Sequence, residues 1–363
     1  MLKNANLSPH RRERVTVNPL VSIVVVNFNG QDRLLACLES LDHQTYEPIE
    51  VVLVDNNSRD ESVDRVREDY PDVRILTLSA NVGFAGGCNA GIAVARGEFV
   101  ATLNNDAVAD PHWLAELMNA TADRPDVGMV ASKMLFADDR GTINSIGIAL
   151  DRAGIAWDRG GGRLDGITLE KVEVFGPCAG AALYRRSMFD DIGGFDEDFF
   201  MYLEDVDLAW RAQLAGWRGI LAPEARVFHE HSASAGPTSS FKRYHLARNK
   251  VWLITKNYPS PEIWLYLPVI LLYDVAAVSF SIFTQDSGAS LSDRAARMIG
   301  RIAGLLAIAG AIAKRREIQR RRRVPGWRVG LQMSRLPAPW AISNRYAHLA
   351  KRSRSGTSGL TVG

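Results

Sequence analysis

Hydrophobic and polar positions alternate in blocks along this chain. The run VSIVVV, Val21 to Val26, is continuous and β-branched. Such a run predicts a strand covered on both faces, as in a parallel sheet, because a strand with one wet face alternates instead. The turn-forming NFNG follows, and QDRLLACLESLDHQ then places apolar residues at helical spacing. EVVLVD, ending at Asp55, predicts a second strand. Asp60 and Glu61 stand where the next helix begins, the end that acidic side chains favour. VRILTL and EFVATLNNDA predict a third and a fourth strand, with NVGFAGGCNAGIAVARG between them. Strands alternating with helices predict an α/β domain with a mostly parallel sheet. Ligands of such sheets bind at the carboxyl ends of the strands. Those ends carry Asn27–Gly30, Asp55–Ser58, Asn81–Gly87 and Asn104–Asp106, a constellation of polar turns.

Further strands are predicted over Val127–Lys133 and Ile146–Leu150, and a glycine-rich loop over Arg159–Gly162. From about Phe241 the character changes. KRYHLARNKVWLITKNYP reads as a helix. The apolar segment Trp264 to Phe283 has the roughly 20 residues a bilayer crossing needs, but Pro268 and Asp274 interrupt it. In DRAARMIGRIAGLLAIAGAIAKRR, Arg294, Arg297 and Arg301 recur at i, i+3 and i+7, the pattern of one interfacial helix with a basic face. The following KRREIQRRRR favours an anionic, cytoplasmic leaflet. The expected division is therefore a basic N-terminal tail over 1–19, an α/β domain over 20–240, a helical membrane-associated region over 241–323 and a C-terminal tail over 324–363.

Composition changes this picture little. The 363 residues, 47% hydrophobic and 23% charged, suit a globular domain with an appendage. A net charge of +2 gives no overall field for nucleic acid, so no nucleic-acid partner is expected. Cys37, Cys88 and Cys178 form neither a disulfide framework nor a zinc motif, which points to a reducing compartment. The basic N-terminal stretch has no apolar core, so no signal peptide is expected.

Several residues carry candidate chemistry. Asp106, just past a buried strand, can hold a divalent cation that bridges diphosphate oxygens; the alternative is a helix cap, for which Asp110 is better placed. Asp55 can accept from a base N–H or a ribose hydroxyl, or close an Asx-turn. Glu204, Asp205 and Asp207 stand at a helix start, where the dipole keeps a carboxylate ready to take a proton. Asp207 is better read as an i, i+4 partner of Arg211. His229 and His231 would share one face of a strand and could bind metal or serve as surface residues. Trp157, Trp210, Trp217 and Phe199–Phe200 are mostly expected in the core.

Taken in order, VSIVVVNFNG, VVLVDNNSRD, NVGFAGGCNAGI, ATLNNDA, GPCAGAALYRRSMFDDIGGFDEDFFMYLEDVDLAWR and VFHEHSAS resemble the family 2 glycosyltransferases of the GT-A fold, in their rhamnosyltransferase-like branch. The resemblance covers roughly Val21 to Ser234 and implies a Rossmann-like nucleotide-diphospho-sugar transferase fold. It implies that Asn27, Asn29, Asp55, Asn57, Asn81, Gly83, Phe84, Gly86, Asn89, Asn104 and Asn105 line the nucleotide sugar, with Asp55 on the base. Asn104, Asn105 and Asp106 occupy the DxD position; its first acid is Asn104 here, which leaves Asp106 as the main ligand for a divalent cation, Mg²⁺ or Mn²⁺, with His229 completing the site. Asp205 matches the catalytic base, with Glu204 beside it, and HLARNK matches an Arg-Asn element after the catalytic domain. The implied activity is inverting, metal-dependent transfer from dTDP-rhamnose or a UDP-hexose to a glycan on a polyprenyl or similar carrier. The implied place is the cytoplasmic face of a bacterial inner membrane, reached through 262–323; oligomeric state is left open. Two other readings compete. A sugar-1-phosphate nucleotidyltransferase would want a basic glycine-rich loop after the first strand, which VVVNFNGQDRLL lacks; a non-catalytic sugar-nucleotide binder would tolerate Asn104.

Overall fold

The computed structural model describes residues 18–166, 172–230, 239–283 and 291–336. The N-terminal tail up to residue 17, most of the C-terminal tail and His231 lie outside the described residues. The first half is three strand–helix steps and a fourth strand: β1 (Val21–Asn27), α1 (Gln31–Asp42), β2 (Ile49–Asp55), α2 (Ser62–Asp69), β3 (Arg74–Thr77), α3 (Gly83–Val94) and β4 (Phe99–Asn104). β4, β1, β2 and β3 lie side by side and parallel. The chain reverses its winding at β1, between β4 and β2, and ligands of such sheets bind at the carboxyl ends of the strands beside this switch.

The second half extends the same sheet beyond β4. It comprises β5 (Ala107–Ala109), α4 (Trp113–Thr121), β6 (Val127–Phe136), β7 (Asp139–Ser145), β8 (Ile148–Leu150), β9 (Ala156–Asp158), β10 (Glu173–Val174), β11 (Ala181–Arg185), α5 (Arg186–Ile192), a 3₁₀ turn (Glu197–Phe199), α6 (Glu204–Leu214) and β12 (Arg218–His229). β11 runs antiparallel between β4 and β6, and β12 pairs parallel with β6. β5, just past β4, pairs with the end of β12, so Ala107 lies opposite His229. This pairing brings the DxD-position loop against a histidine far away in sequence.

The uninterrupted apolar run in β1 does what its composition requires. Val24 faces the cluster that includes Ala85, Cys88 and Ile92 of α3, whereas Ile23 and Val25 face Leu34, Leu38 and Leu41 of α1. Each face of the sheet thus has its own core, and Ser22, the polar residue within the run, is buried and hydrogen-bonded to Glu50 and Gly97 N.

Beyond β12 come α7 (Ser240–Asn257), α8 (Glu262–Phe283), α9 (Leu291–Leu306), α10 (Ile308–Arg321) and α11 (Gly326–Gln332). Two expectations for this region are corrected. The segment read as one interfacial helix is broken at Ala307, where α9 and α10 meet at 60°. Its arginines are not an exposed basic face: Arg294, Arg297 and Arg301 are half-buried, and Arg301 reaches Asp274 of α8 at 3.5 Å. The exposed side is the apolar one, with Met298, Ile299, Ile302, Leu305 and Leu306. The reason is steric. Gly300 and Gly304 lie against the backbone of α7, where a Cβ would stand 2.3 Å from Tyr244 O and 2.9 Å from Arg248 O, so the small-residue side faces inward. Among the described residues no single helix is long and apolar enough to cross a membrane. Asp274, which interrupts the apolar segment, is held by Lys250 at 2.8 Å.

Candidate active site

The strand ends are stitched together before any ligand arrives. At the end of β1, buried Asn27 donates from Nδ2 to Ser58 Oγ and Ser62 Oγ, both at 3.1 Å, and accepts from Asn105 Nδ2 at 2.8 Å. One asparagine therefore ties β1 to the turn after β2 and the loop after β4. Asn29 and Asn57 both have positive φ, a conformation asparagine tolerates; Asn29 Oδ1 accepts from Arg59 N at 2.8 Å. Asp55 is buried and closes the Asx-turn, accepting from Ser58 N at 3.0 Å. Asn81 Oδ1 accepts from Gly83 N and Asn56 Nδ2. Gly83 has φ +77°, and Phe84 meets Phe195 edge-on.

The glycines of α3 lie close against protein. A Cβ on Gly86 would lie 2.7 Å from Val82 Cγ2, on Gly87 2.6 Å from Val26 Cγ1, and on Gly91 2.4 Å from Val24 Cγ1. Gly87 and Gly91 let the helix settle onto β1, and Gly86 makes room for Val82 of its own turn. Asn89 is also committed to protein: its amide donates to Phe195 O and Glu197 Oε1 and accepts from Phe195 N. It anchors the segment leading to α6.

At the end of β4, the β5–β12 pairing sets Asp106 and His229 together, with Nε2 3.2 Å from Oδ1. Asn104 Nδ2 lies 3.2 Å from the same Nε2. The other ring nitrogen, Nδ1, is 3.0 Å from Asn144 Oδ1 at the end of β7. An amide oxygen only accepts, so Nδ1 carries a proton and Nε2 is the nitrogen that faces the carboxylate. Asp106 Oδ1 is buried and meets no hydrogen-bond donor among the described residues. Burial pushes this carboxyl up, but the neighbouring His229 overrides it and holds Asp106 below the usual carboxylate range. An imidazole nitrogen and an ionised carboxylate oxygen aimed at one spot fit a divalent cation, with the remaining positions left to ligand oxygens and water. Sequence reading missed Asn144. It sits in DRGTINS, which has no apolar pattern to mark even its strand.

The three acids at the start of α6 have three different environments. Asp207 is fully buried; burial pushes it up, but Lys256 and Arg211 pull it down to about 2. Arg211 Nε donates to it at 2.8 Å, the i, i+4 pair the spacing predicts. Glu204 is buried with Oε2 unpartnered among the described residues, and burial plus the nearby Asp205 raise it well above its ordinary range. Asp205 is half-buried and accepts from Ala179 N at 3.3 Å and Val206 N at 2.8 Å. Burial lifts it to about 6 against those two hydrogen bonds. Ala179 also links the two halves of the site: Thr102 Oγ1 of β4 donates to Ala179 O at 2.6 Å, and Asn104 N donates to Gly180 O at 2.8 Å. Asp205 and the Asn104–Asp106 loop thus flank one short segment. Of the aromatics, Trp210 and Phe199 are fully buried in the core, and Trp217 donates to Asp191.

The backbone entering α6 is under tension. Phe200, Tyr202 and Leu203 all have positive φ, at a cost of about 1–3 kcal/mol each for non-glycine residues.

A mostly parallel sheet with polar turns at its switch point, a carboxylate–imidazole pair and a separate raised carboxyl are the parts of a nucleotide-sugar transferase. The chain belongs to glycosyl transferase family 2, whose profile matches residues 22–193. It is 30% identical over 252 residues to the N-acetylglucosaminyl-diphospho-decaprenol L-rhamnosyltransferase of Mycobacterium tuberculosis, covering 62% of this chain and 81% of that one. It is 34% identical over 234 residues to the O-antigen biosynthesis protein RfbC of Myxococcus xanthus, covering 61% of this chain but only 18% of that much longer relative. Staphylococcus aureus TarS 1–349 shares the GT-A fold with a TM-score of 0.53 at 17% identity, over 83% of this chain and 90% of that one. GalNAc-T7, solved with UDP, GalNAc and Mn²⁺, superposes with a TM-score of 0.58 at 15% identity, over 81% of this chain and 57% of that one.

Proposed function

We propose that the protein transfers a sugar, with inversion, from a nucleotide-diphospho-sugar to a hydroxyl of a glycan carried on a polyprenyl or similar lipid. The observation that carries this reading is the shared anchoring of Asp205 and the Asn104–Asp106 loop on Ala179–Gly180. Asp205 takes the proton of the acceptor hydroxyl as its oxygen forms a bond to the anomeric carbon. The bond from that carbon to the diphosphate oxygen breaks on the opposite side, and the electron pair leaves with the nucleotide. Asp106 and His229 would hold a Mg²⁺ or Mn²⁺ ion, which would offset the charge developing on the leaving diphosphate. The asparagines at the ends of β1 and β4 keep this loop in place, and Asp55 would grip the base.

The donor we favour is dTDP-L-rhamnose, with UDP-hexoses as the second choice; support comes from the Mycobacterium relative, named a rhamnosyltransferase acting on a diphospho-decaprenol. The exposed apolar side chains Trp264, Leu265, Leu272, Ile302 and Leu306 support attachment to the cytoplasmic face of the inner membrane, where such an acceptor would lie. Trp264→Glu with Leu265→Glu should abolish co-sedimentation with anionic lipid vesicles; full retention argues against that placement.

The central test is Asp205→Asn. It should leave dTDP and Mn²⁺ binding by thermal shift intact and cut transfer by about 10²-fold or more. A near wild-type rate overturns the assignment.

A further inference from the structure

On one side of the strained segment before α6 lies α7, whose Phe241 and His245 pack on the ring of Phe200 and whose Arg248 and Asn249 bond the backbone carbonyls. Asn249 is fully buried, and its Nδ2 lies 3.0 Å from Phe199 O, 2.9 Å from Met201 O and 2.7 Å from Tyr202 O. Two N–H bonds are thus shared among three carbonyls of one turn. Arg248 completes the clamp. Its Nη2 donates to Asp198 O and Phe199 O, both at 2.9 Å, and its Nε donates to Asn249 Oδ1 at 2.9 Å, fixing the amide's orientation.

The other side of the segment faces α3. Phe200 O accepts from Ala85 N at 3.2 Å. A Cβ on Gly83 would stand 2.3 Å from that same oxygen, so only glycine allows the approach. The strap from Phe199 to Leu203 therefore touches the loop after β3 at one end and delivers Asp205 at the other. Left-handed φ at Phe200 (63°), Tyr202 (71°) and Leu203 (67°) is a form these residues leave unless something holds it.

We propose that Asn249, aligned by Arg248, is a positioning residue: it holds the strap in its strained form, with Phe200 against the start of α3, and so sets Asp205 beside Ala179. The proposal rests on the reading of Asp205 as the base. Both residues act through backbone carbonyls. The clamp also makes the Arg-Asn pair of HLARNK a part of the catalytic domain rather than of an appended region. Asn249→Asp keeps the acceptor for Arg248 but replaces the N–H donors with a carboxylate facing three carbonyl oxygens.

The test uses the full-length protein and backbone hydrogen exchange followed by mass spectrometry. In Asn249→Asp, exchange should rise by about 10-fold or more in peptides covering 199–206 and 82–88, and stay unchanged in peptides from β1 and β2. With dTDP-L-rhamnose as donor, kcat should fall by about 10²-fold while donor KM stays within about threefold. Should Asn249→Asp fail to fold, Arg248→Lys should show the same pattern more weakly, because lysine cannot bond the two carbonyls and the amide together. Unchanged exchange in both peptides, or a uniform rise across the chain, overturns the clamp. The exchange readout does not involve the base. If Asp205→Asn stays active while the strap peptides loosen, the base assignment falls and the clamp stands.

Discussion

Lys256 Nζ lies 2.8 Å from Asp207 Oδ1, with both side chains almost wholly buried, and this pair joins the first turns of α6 to the end of α7. Lys256 also reaches Asp196, and Asn257 Nδ2 donates to the same Asp207 oxygen at 2.7 Å. Removing one member of such a network strands the opposite charge out of water.

Asp207→Asn should therefore cost about 3–5 kcal/mol in urea unfolding at pH 7. The sign with pH follows from the carboxyl's depression to about 2. Its contribution is present above the unfolded-state value of about 3.9 and is lost as pH falls through about 2, so mutant and wild type should converge on acidification.

Asp205 should control the pH dependence of transfer. A base titrating at about 6 is protonated and idle below that pH. The turnover rate should climb through pH 6 and level off by about 7.5, and Asp205→Asn should erase the rise along with the rate. Stability runs the opposite way. A carboxyl raised in the folded state favours folding below its unfolded value and loses that contribution as pH rises through 6, so the same substitution should gain stability at pH 8 and little at pH 4.

Glu204 offers a cleaner stability test, since its Oε2 is buried without a partner among the described residues. Its raised pKa means that ionisation becomes costlier in the folded state as pH increases. Glu204→Gln should stabilise the protein by about 1–3 kcal/mol at pH 8, with the gain vanishing toward pH 4, in denaturant titrations at the two pH values. No gain at pH 8 would mean that the carboxylate finds water or a partner when charged.

Asn144→Ala should weaken Mn²⁺ binding about 10–100-fold in a calorimetric titration, because Nδ1 of His229 loses the acceptor that fixes its tautomer. Binding of dTDP without metal should not change. Equal Mn²⁺ affinity in the variant would remove the imidazole from the cation site.

The sheet and the acids were legible in the sequence for local reasons. An unbroken β-branched run can only be buried on both faces, and polar turns at successive strand ends converge whenever the strands are parallel. The rest depended on pairings at long range. Asn144 reaches His229 only because β7 and β12 both flank β6. That Gly87 and Gly91 let α3 settle onto Val26 and Val24 of β1 likewise depends on how the helix packs on the sheet. The arginines of α9 read as a wet face because spacing gives a stripe but not its direction; Gly300 and Gly304 set that direction by meeting α7.

The contact of Gly300 and Gly304 with α7 has a mechanical meaning. Gly304 lies against Arg248 O and accepts a hydrogen bond from Trp252 Nε1 at 3.0 Å. Any load borne by the outer apolar side of α9 is passed, without a flexible joint, to the turn of α7 that carries Arg248 and Asn249. Deleting the C-terminal helices to obtain a smaller enzyme would accordingly unseat the turn of α7 that carries Arg248 and Asn249.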